Sequence, residues 1–146
     1  MTTTVRDMIR KKGYEVFSIA PDATVLDALN MMAKHNVGAL LVMTGDKMEG
    51  IVSERDCVRK VEVMGKNVKD TKVNEIMTSD VITVEASHPL EECMELMIEK
   101  NFRHLPVCEG TELLGVLSVR DVLKEVIEVQ QSMLSQLERY ITGSGR

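Results

Sequence analysis

The sequence predicts an α/β fold in which two tandem β-α-β-β-α repeats pack about a pseudo-two-fold axis and a C-terminal helix follows. Residues 36–56 align without a gap with residues 101–121, and eight of the 21 aligned residues are identical. Apolar residues recur at helical spacing between short apolar segments, which separates helices from strands. One copy of about 60 residues is marginal for burying a core of its own. We therefore expect the two copies to pack face to face.

Each copy opens with a short helix and a short strand. The helix is predicted to begin at Val5 in the first copy and at Val73 in the second. The strand is predicted over 16–19 and 81–84. The offset between the copies changes from 65 to 68 positions across this opening. The first copy therefore carries three extra residues in its opening loop, around "KKG".

A longer helix and a hairpin follow in each copy. Asp22 and Ser87 are predicted to cap the helices, whose apolar residues recur at helical spacing. "GALLVM" and "RHLPVC" are predicted strands, and a turn rich in glycine and charge leads to the third strand, "GIV" or "GVL". Pro106 inside such a strand indicates an edge or a locally open position. Ser53 and Ser118 then begin the second helix of each copy.

The chain from Ser118 to about Ile141 is predicted as one long helix or two abutting helices with a wide apolar stripe. Its end extends beyond the repeat, so it packs either on its own domain or against a second subunit, and we favour the subunit contact. Gly143 stands where a helix C-cap belongs. The predicted boundaries are 5–62 for the first repeat, 63–72 for a linker, 73–129 for the second repeat and 130–146 for the helix extension and tail.

Composition and charge exclude several classes of function. The net charge is −5 and no basic stripe is interleaved with aromatic residues, so we expect no nucleic-acid partner. No apolar run reaches the roughly 18 residues of a transmembrane helix, and the start of the chain resembles no export signal. The three cysteines are odd in number and form no CxxC motif, which favours reduced thiols and a cytoplasmic location. No nucleophile–base pair, glycine-rich phosphate loop or metal set is present, so no catalytic residue, metal or catalytic cofactor is predicted, and the chain is not expected to be an enzyme.

"HNVGALLVMTGDKMEGIVSERD" and "NFRHLPVCEGTELLGVLSVRD" resemble the core of the CBS domain. Over roughly residues 5 to 128, the chain resembles a CBS-domain pair (a Bateman module) of the small stand-alone type. The resemblance implies a regulatory sensor that binds AMP, ADP, ATP, NAD(H) or an S-adenosyl compound in a cleft between the repeats. It also implies a homodimer whose geometry signals to an unidentified regulated protein. The alternative is a ligand-independent interaction module that uses the C-terminal helix.

The repeated Ser-x-x-Asp at the start of the second helix has two interpretations. Ser53 with Asp56, and Ser118 with Asp121, have the spacing of a capping box, which alone would explain these residue types. A carboxylate at a helix N-terminus would repel phosphate, so it is better suited to accepting hydrogen bonds from ribose hydroxyls. The resemblance assigns this second role to the matching aspartates.

The neighbouring arginines are candidates for phosphate binding. Arg55 and Arg120 precede the two aspartates, and Arg59 lies one turn beyond Arg55. A solvated helix face is the alternative for these side chains. The resemblance places Arg103 and His104 at the pocket rim, where one of the two reaches phosphate, because adjacent strand residues point to opposite faces.

The two copies differ at the rim, which predicts unequal sites. Where the second copy has Arg103 and His104, the first has Gly38 and Ala39, which offer only backbone atoms. The resemblance assigns the wall and edge of an adenine pocket to the first strand of each copy, through Phe17 and Ile82 or their neighbours Ser18 and Thr83. An ordinary core role is the alternative for the two apolar members of that set.

Overall fold

The computed structural model describes residues 3–142 and divides into two compact units. Unit 1 combines the chain up to Tyr14 with the chain from Thr83 onward, and unit 2 is Glu15–Ile82. Each unit contains a three-stranded sheet and helices. The expected α/β class, with tandem repeats and a C-terminal helix, is confirmed. Gly143, the predicted helix C-cap, lies outside the described residues with the rest of the tail.

Unit 2 contains a sheet of strand order β1-β2-β3. Strand β1 pairs parallel with β2, and β2 forms an antiparallel hairpin with β3. Its elements are β1 Ser18–Ile19, α2 Val25–His35, β2 Ala39–Thr44, β3 Lys47–Ser53, α3 Glu54–Cys57, a π-helical turn Val58–Glu62 and α4 Val73–Ile76. Helix α2 buries Val25, Ala28 and Met32, whose helical spacing produces a single apolar face.

Unit 1 repeats this arrangement with the strand order β4-β5-β6. Its elements are α1 Val5–Lys12, β4 Val84–Glu85, α5 Leu90–Lys100, β5 His104–Glu109, β6 Glu112–Ser118 and α6 Val119–Thr142. Strand β4 pairs parallel with β5, and β5 pairs antiparallel with β6. The structure therefore contains both strands of each predicted hairpin. The second strand of each hairpin, β3 or β6, is longer than the predicted "GIV" or "GVL".

The short opening helices are exchanged between the copies. Val5 and Ile9 of α1 are fully buried in the core of unit 1, among the strands of the second copy. Val73 and Ile76 of α4 are buried in the core of unit 2, among the strands of the first copy. Each compact unit therefore takes its opening helix from the other copy, which the sequential numbering of the repeats does not show.

The predicted caps of α2 and α5 are wrong. Helix α2 is capped by Thr24 instead of Asp22, because the Thr24 hydroxyl accepts from the Asp27 N–H and the Asp27 carboxylate accepts from the Thr24 N–H. Helix α5 follows Pro89 instead of Ser87, and no side chain caps it. Both real caps lie two residues later than predicted.

Backbone carbonyls complete the N-termini of α2 and α5. The Val25 N–H donates to the Thr71 carbonyl at 2.8 Å, and the Leu90 N–H donates to the Thr3 carbonyl at 2.9 Å. In each unit, the segment just before the opening helix therefore satisfies helix donors that would otherwise be free. The predicted linker is thus bound to unit 2 at this point.

Pro106 determines where β4 begins. In the first copy, the Leu41 N–H donates to the Phe17 carbonyl at 3.1 Å and fastens the start of β1 to β2. Pro106 takes the place of Leu41 in the second copy and has no N–H to donate. Strand β4 accordingly begins at Val84, so most of the strand predicted over 81–84 is absent. Pro106 lies in the middle strand, at a position left open on one side.

Helix α6 is one continuous helix of 24 residues. Its buried residues, Val122 and Glu125, both lie in the first third. Residues 131–142 are all exposed in the described structure. The end of α6 therefore does not pack on its own unit, which leaves the apolar stripe of this helix uncovered.

Candidate functional site

The start of α6 is fixed by a complete capping box. The Ser118 hydroxyl accepts from the Asp121 N–H at 3.1 Å. One carboxylate oxygen of Asp121, Oδ2, accepts from the Ser118 N–H at 2.8 Å and from the Ser118 hydroxyl at 2.9 Å. The structural role expected for this Ser-x-x-Asp is therefore present, and it holds the carboxylate in one orientation.

A lysine from the opening helix joins the same carboxylate. Lys12 Nζ lies 2.8 Å from Asp121 Oδ2 and also donates to the Val116 carbonyl. Oδ2 thus receives three donors, whereas no hydrogen bond reaches Oδ1 of Asp121 within residues 3–142. Burial alone would raise the pKa of Asp121, but hydrogen bonds from Lys12 and Ser118 outweigh it and hold the pKa below its usual value. Asp121 is therefore a fixed carboxylate with one oxygen able to accept further hydrogen bonds.

The matching aspartate of unit 2 is more fully engaged. Asp56 forms the same box, in which Oδ2 accepts from the Ser53 N–H and hydroxyl, both at 3.0 Å. Its other oxygen, Oδ1, lies 3.2 Å from Lys60 Nζ on the next turn. Lys60 also donates to the Ile76 carbonyl at 2.8 Å. Both oxygens of Asp56 therefore have partners, which supports the expectation that the two copies are unequal.

Sequence reasoning missed Lys12, which comes from α1 and is 109 positions from Asp121. Helix α1 has eight residues and α4 has four, so the extra turn of α1 carries lysines that α4 lacks. The helix ends at Gly13, where φ is 104° and a residue with a side chain would be strained. The signal that could have found this contact was the three extra residues noted around "KKG".

The strand ends beside each box use their carbonyl groups within the unit. The Glu54 N–H donates to the Gly38 carbonyl at 3.0 Å, and Ala39 pairs with Ser53 across the hairpin. In unit 1 the Val119 N–H donates to the Arg103 carbonyl at 2.9 Å. The first N–H group of each helix is thus already satisfied, so a bound ligand would meet mainly side chains here.

The predicted residues of unit 1 line two different cavities. Arg103, His104, Ser118 and Arg120 lie together along a groove of about 850 Å³ between α5 and α6. Asp121 lies outside that groove and lines a smaller cavity of about 310 Å³ together with Lys12 and four further charged residues. The structure therefore brings the two arginines and His104 together but separates them from Asp121.

The other predicted residues of unit 2 are spread out. Phe17 is half-buried against the core of unit 2 and stacks on His35, with ring centroids 4.0 Å apart. Ser18 is exposed in β1. Arg55 is half-buried at the start of α3, and Arg59 is exposed in the π-helical turn. Phe17 thus has the core role that the sequence left open, with one ring face covered by His35.

Ile82 and Thr83 are both exposed and precede β4. They belong to different compact units, because the division between the units falls between them. The absence of a strand here follows from Pro106, which removes the hydrogen bond that would anchor this segment. Their predicted place in an adenine pocket stays a prediction.

The cysteines are poorly suited to chemistry. Burial is the main cause that raises the pKa of Cys57 and of Cys93 to about 11, so both thiols are protonated at neutral pH. In the described part of the chain, no three His, Cys, Asp or Glu side chains form a group that could hold a metal ion. Over the same residues, no helix combines the length and apolar character needed to cross a membrane.

Comparisons with known proteins agree with the two-copy architecture. The family model of the CBS domain matches residues 5–63 and 73–128. The mitochondrial CBS domain-containing protein CBSX3 of Arabidopsis thaliana is 36% identical over 151 residues, covering 97% of this chain and 73% of that protein. A solved structure of a protein with CBS domains from Burkholderia ambifaria MC40-6 is 43% identical, with a TM-score of 0.84 over 86% of this chain and 95% of that one.

A more distant solved structure shares the fold. It is the CBS domain pair of protein MJ0100, in complex with 5′-methylthioadenosine and S-adenosyl-L-methionine. It is 22% identical, with a TM-score of 0.74 over 86% of this chain and 97% of that chain. The two segments matched by the family model and the 36% identical relative show that the chain belongs to the CBS domain family, as a tandem pair of CBS domains.

Proposed function

We propose that this CBS-domain pair is a regulatory sensor whose Asp121 binds the ribose of an adenosine-containing ligand. The candidate ligands are AMP, ADP, ATP and NAD(H), and the chain acts without chemistry of its own. The observation that carries the proposal is the Asp121 carboxylate, which is fixed through Oδ2 and has Oδ1 without a partner in the described residues.

The chemistry of ribose suits this carboxylate. The two vicinal hydroxyls of an unmodified ribose are donors, and hydrogen bonds to a charged acceptor are among the stronger ones in proteins. Because the capping box already orients Asp121, little side-chain freedom would be lost on binding. A carboxylate also discriminates against a bare phosphate, which it repels.

Lys12 is the candidate cation for the phosphate of such a ligand, because it contacts Asp121. It lies 2.8 Å from Asp121, whereas its neighbour Lys11 is held at 3.1 Å by Glu125. Arg103 and Arg120 line the other groove, so we propose no shared role with Asp121 for them. A phosphate close to the ribose would therefore meet Lys12 first.

The first copy is proposed to bind more weakly. A ribose at Asp56 would have to compete with Lys60 for Oδ1. The MJ0100 domain pair, which was crystallised with two adenosine compounds, shares the fold of this chain at 22% identity. The proposal for this chain therefore depends on its own aspartates and the groups around them.

Signalling needs a second state. A ligand shifts an equilibrium only as far as its affinities for the two states differ. We propose that these states differ in the geometry of a homodimer, which an unidentified regulated protein recognises. The buried, protonated thiols agree with a reducing compartment, and the cytoplasmic location stays a prediction.

The experiment is calorimetric titration of the full chain with AMP, ADP, ATP and NADH up to millimolar concentration. We expect one of them to bind, and Asp121→Ala to weaken it by about tenfold or more, since a hydrogen bond to a charged group contributes about 1.5–3 kcal/mol. The matched Asp56→Ala should weaken it less. The 2′,3′-dideoxy form of the ligand should lose the same affinity with the unaltered chain, which separates ribose binding from any effect of Asp121→Ala on folding.

Two results would contradict the proposal. One is that none of the four ligands binds. The other is that the dideoxy ligand binds as well as the parent compound. In either case the second candidate, a ligand-independent interaction module, is favoured by the fully exposed end of α6.

A further inference from the structure

Helix α6 carries an exposed line of side chains that nothing in the described structure covers. We call it the α6 seam, and it consists of Leu123, Ile127, Gln130, Leu134, Leu137 and Ile141. Its five apolar members are between 54% and 74% exposed. Groups of this size are usually buried, so a continuous line of them marks a contact surface.

The spacing of the seam indicates that its partner is another helix. Successive members are separated alternately by four and three positions, which is the 3.5-residue period of paired helices. A membrane surface would favour cationic flanks. The flanks here carry one lysine, Lys124, and one glutamate, Glu138, together with uncharged residues.

The seam is also symmetrical along its own length. Read from either end, the spacing is four, three, four, three, four, with Ser132 at the midpoint. A second α6 running in the opposite direction therefore places Leu123 opposite Ile141 and Ile127 opposite Leu137 of the second copy. Two-fold symmetry makes every such contact occur twice.

The flanks of the seam distinguish an antiparallel from a parallel pair. One flank is polar, with Lys124, Gln131 and Glu138, and the other is apolar, with Val126, Met133 and Tyr140. In an antiparallel pair like flanks face each other, so Lys124 meets Glu138 of the second copy. In a parallel pair opposite flanks meet, which places apolar Met133 against the charge of Glu138.

The groove of unit 1 continues the seam. Leu123 and Ile127 line it together with Ile98 and Phe102, and Ile98 is 77% exposed. Its volume of about 850 Å³ leaves room for side chains from the far end of a second α6. Arg103 and Arg120 also line this groove and add positive charge to it.

From these observations we propose that α6 pairs antiparallel with the α6 of a second copy of this chain, about a two-fold axis that crosses the seam at the level of Ser132. The pair seats the apolar end of each helix against the groove of the other copy. This pairing specifies the homodimer of the proposed function, but it depends on no ligand.

The first test is the mass of the full chain by analytical ultracentrifugation. We expect a dimer. We expect Leu134→Glu with Leu137→Glu to weaken self-association by about 100-fold or more, because two leucines that the pair would bury are replaced by charges. The matched control, Ser132→Glu, adds a charge to the opposite face of the same helix and should leave the dimer intact. A monomeric unaltered chain, or a dimer that survives the double change, would overturn the proposal.

The second test fixes the orientation by exchanging charges. Lys124→Glu alone and Glu138→Lys alone should each weaken the dimer, and the two together should restore it. The residues lie about 21 Å apart along one helix, so restoration requires contact between copies in the antiparallel direction. Failure to restore overturns the antiparallel pair. Calorimetry of the Leu134→Glu, Leu137→Glu variant with the ligand of the proposed function keeps the outcomes separate, since a monomeric variant that still binds leaves that function standing.

Discussion

At the scale of single residues, a glycine that both copies share has different neighbours in the two units, so the two glycines should differ in how well they tolerate a side chain. Gly50 and Gly115 are identical in the alignment of the copies. A Cβ at Gly50 would lie 2.6 Å from the Thr78 carbonyl oxygen, which is backbone, whereas a Cβ at Gly115 would meet the end of the flexible Ile9 side chain at 3.0 Å. Thr78 also exchanges two backbone hydrogen bonds with Ile51, which fastens the chain after α4 to β3.

Gly50→Ala is therefore expected to destabilise the protein by about 1–3 kcal/mol, the usual cost of overpacking. The bridge between Ile51 and Thr78 would have to move to make room. Gly115→Ala is the matched control and should cost clearly less, because the Ile9 side chain can rotate away. Chemical denaturation with urea measures both variants. Equal losses of unfolding free energy in the two variants would show that the contact with the Thr78 backbone does not determine the cost of Gly50→Ala.

At the scale of elements, the exchanged opening helices determine which pieces of the chain can fold. Fragment 15–82 contains all of unit 2, including α4 with its buried Val73 and Ile76. Fragment 1–62, the first repeat as numbered along the chain, contains α1 but lacks α4 and the Thr71 carbonyl that completes α2.

We expect fragment 15–82 to unfold cooperatively and fragment 1–62 to lack a cooperative transition. Loss of two fully buried aliphatic side chains costs several kcal/mol, which is a large part of the stability of a domain of this size. Circular dichroism during thermal unfolding distinguishes the two fragments. Cooperative unfolding of fragment 1–62 would mean that α1 replaces α4 in its core.

The sequence predicted most elements because each depends on local pattern or on the repeat. Such local information predicts the hairpins, the helix starts at Ser53 and Ser118, and the short helix that begins at Val5. The exchange of α1 and α4 could not be predicted, because a short amphipathic helix can pack its apolar side chains on either sheet. The three extra residues around "KKG" marked the lysines of α1 as a difference between the copies, but the contact of Lys12 with Asp121 depends on that exchange.

Two features of the site depend on geometry that the sequence does not show. Asp121 and Arg120 were expected in one site because they are adjacent in sequence, but neighbours on a helix point about 100° apart, and here they line different cavities. The difference between the copies was expected at the rim, in Arg103 and His104. The structure adds a second difference, in the lysine partners of the two aspartates.

At the scale of the whole molecule, each unit contains a buried cysteine whose reactivity can be used to measure how readily that unit opens. Cys57 is 2% exposed in the core of unit 2, and Cys93 is fully buried in the core of unit 1. A thiol reacts as its thiolate, and burial raises the pKa of each to about 11. At pH 8 this lowers the thiolate fraction roughly 100-fold below that of an ordinary cysteine, before any exclusion of the reagent.

We therefore expect iodoacetamide at pH 8 to alkylate Cys57 and Cys93 of the native chain at least about 100-fold more slowly than in urea, because reaction requires opening of the surrounding core. Peptide mass spectrometry reads each cysteine separately in the unaltered chain, and the half-buried Cys108 serves as an internal comparison. Native alkylation of Cys57 or Cys93 at the unfolded rate would show that its unit opens freely. Because each thiol belongs to one unit, their two rates measure the stability of the two units separately, and a ligand bound at Asp121 should slow the reaction of Cys93 in the same unit.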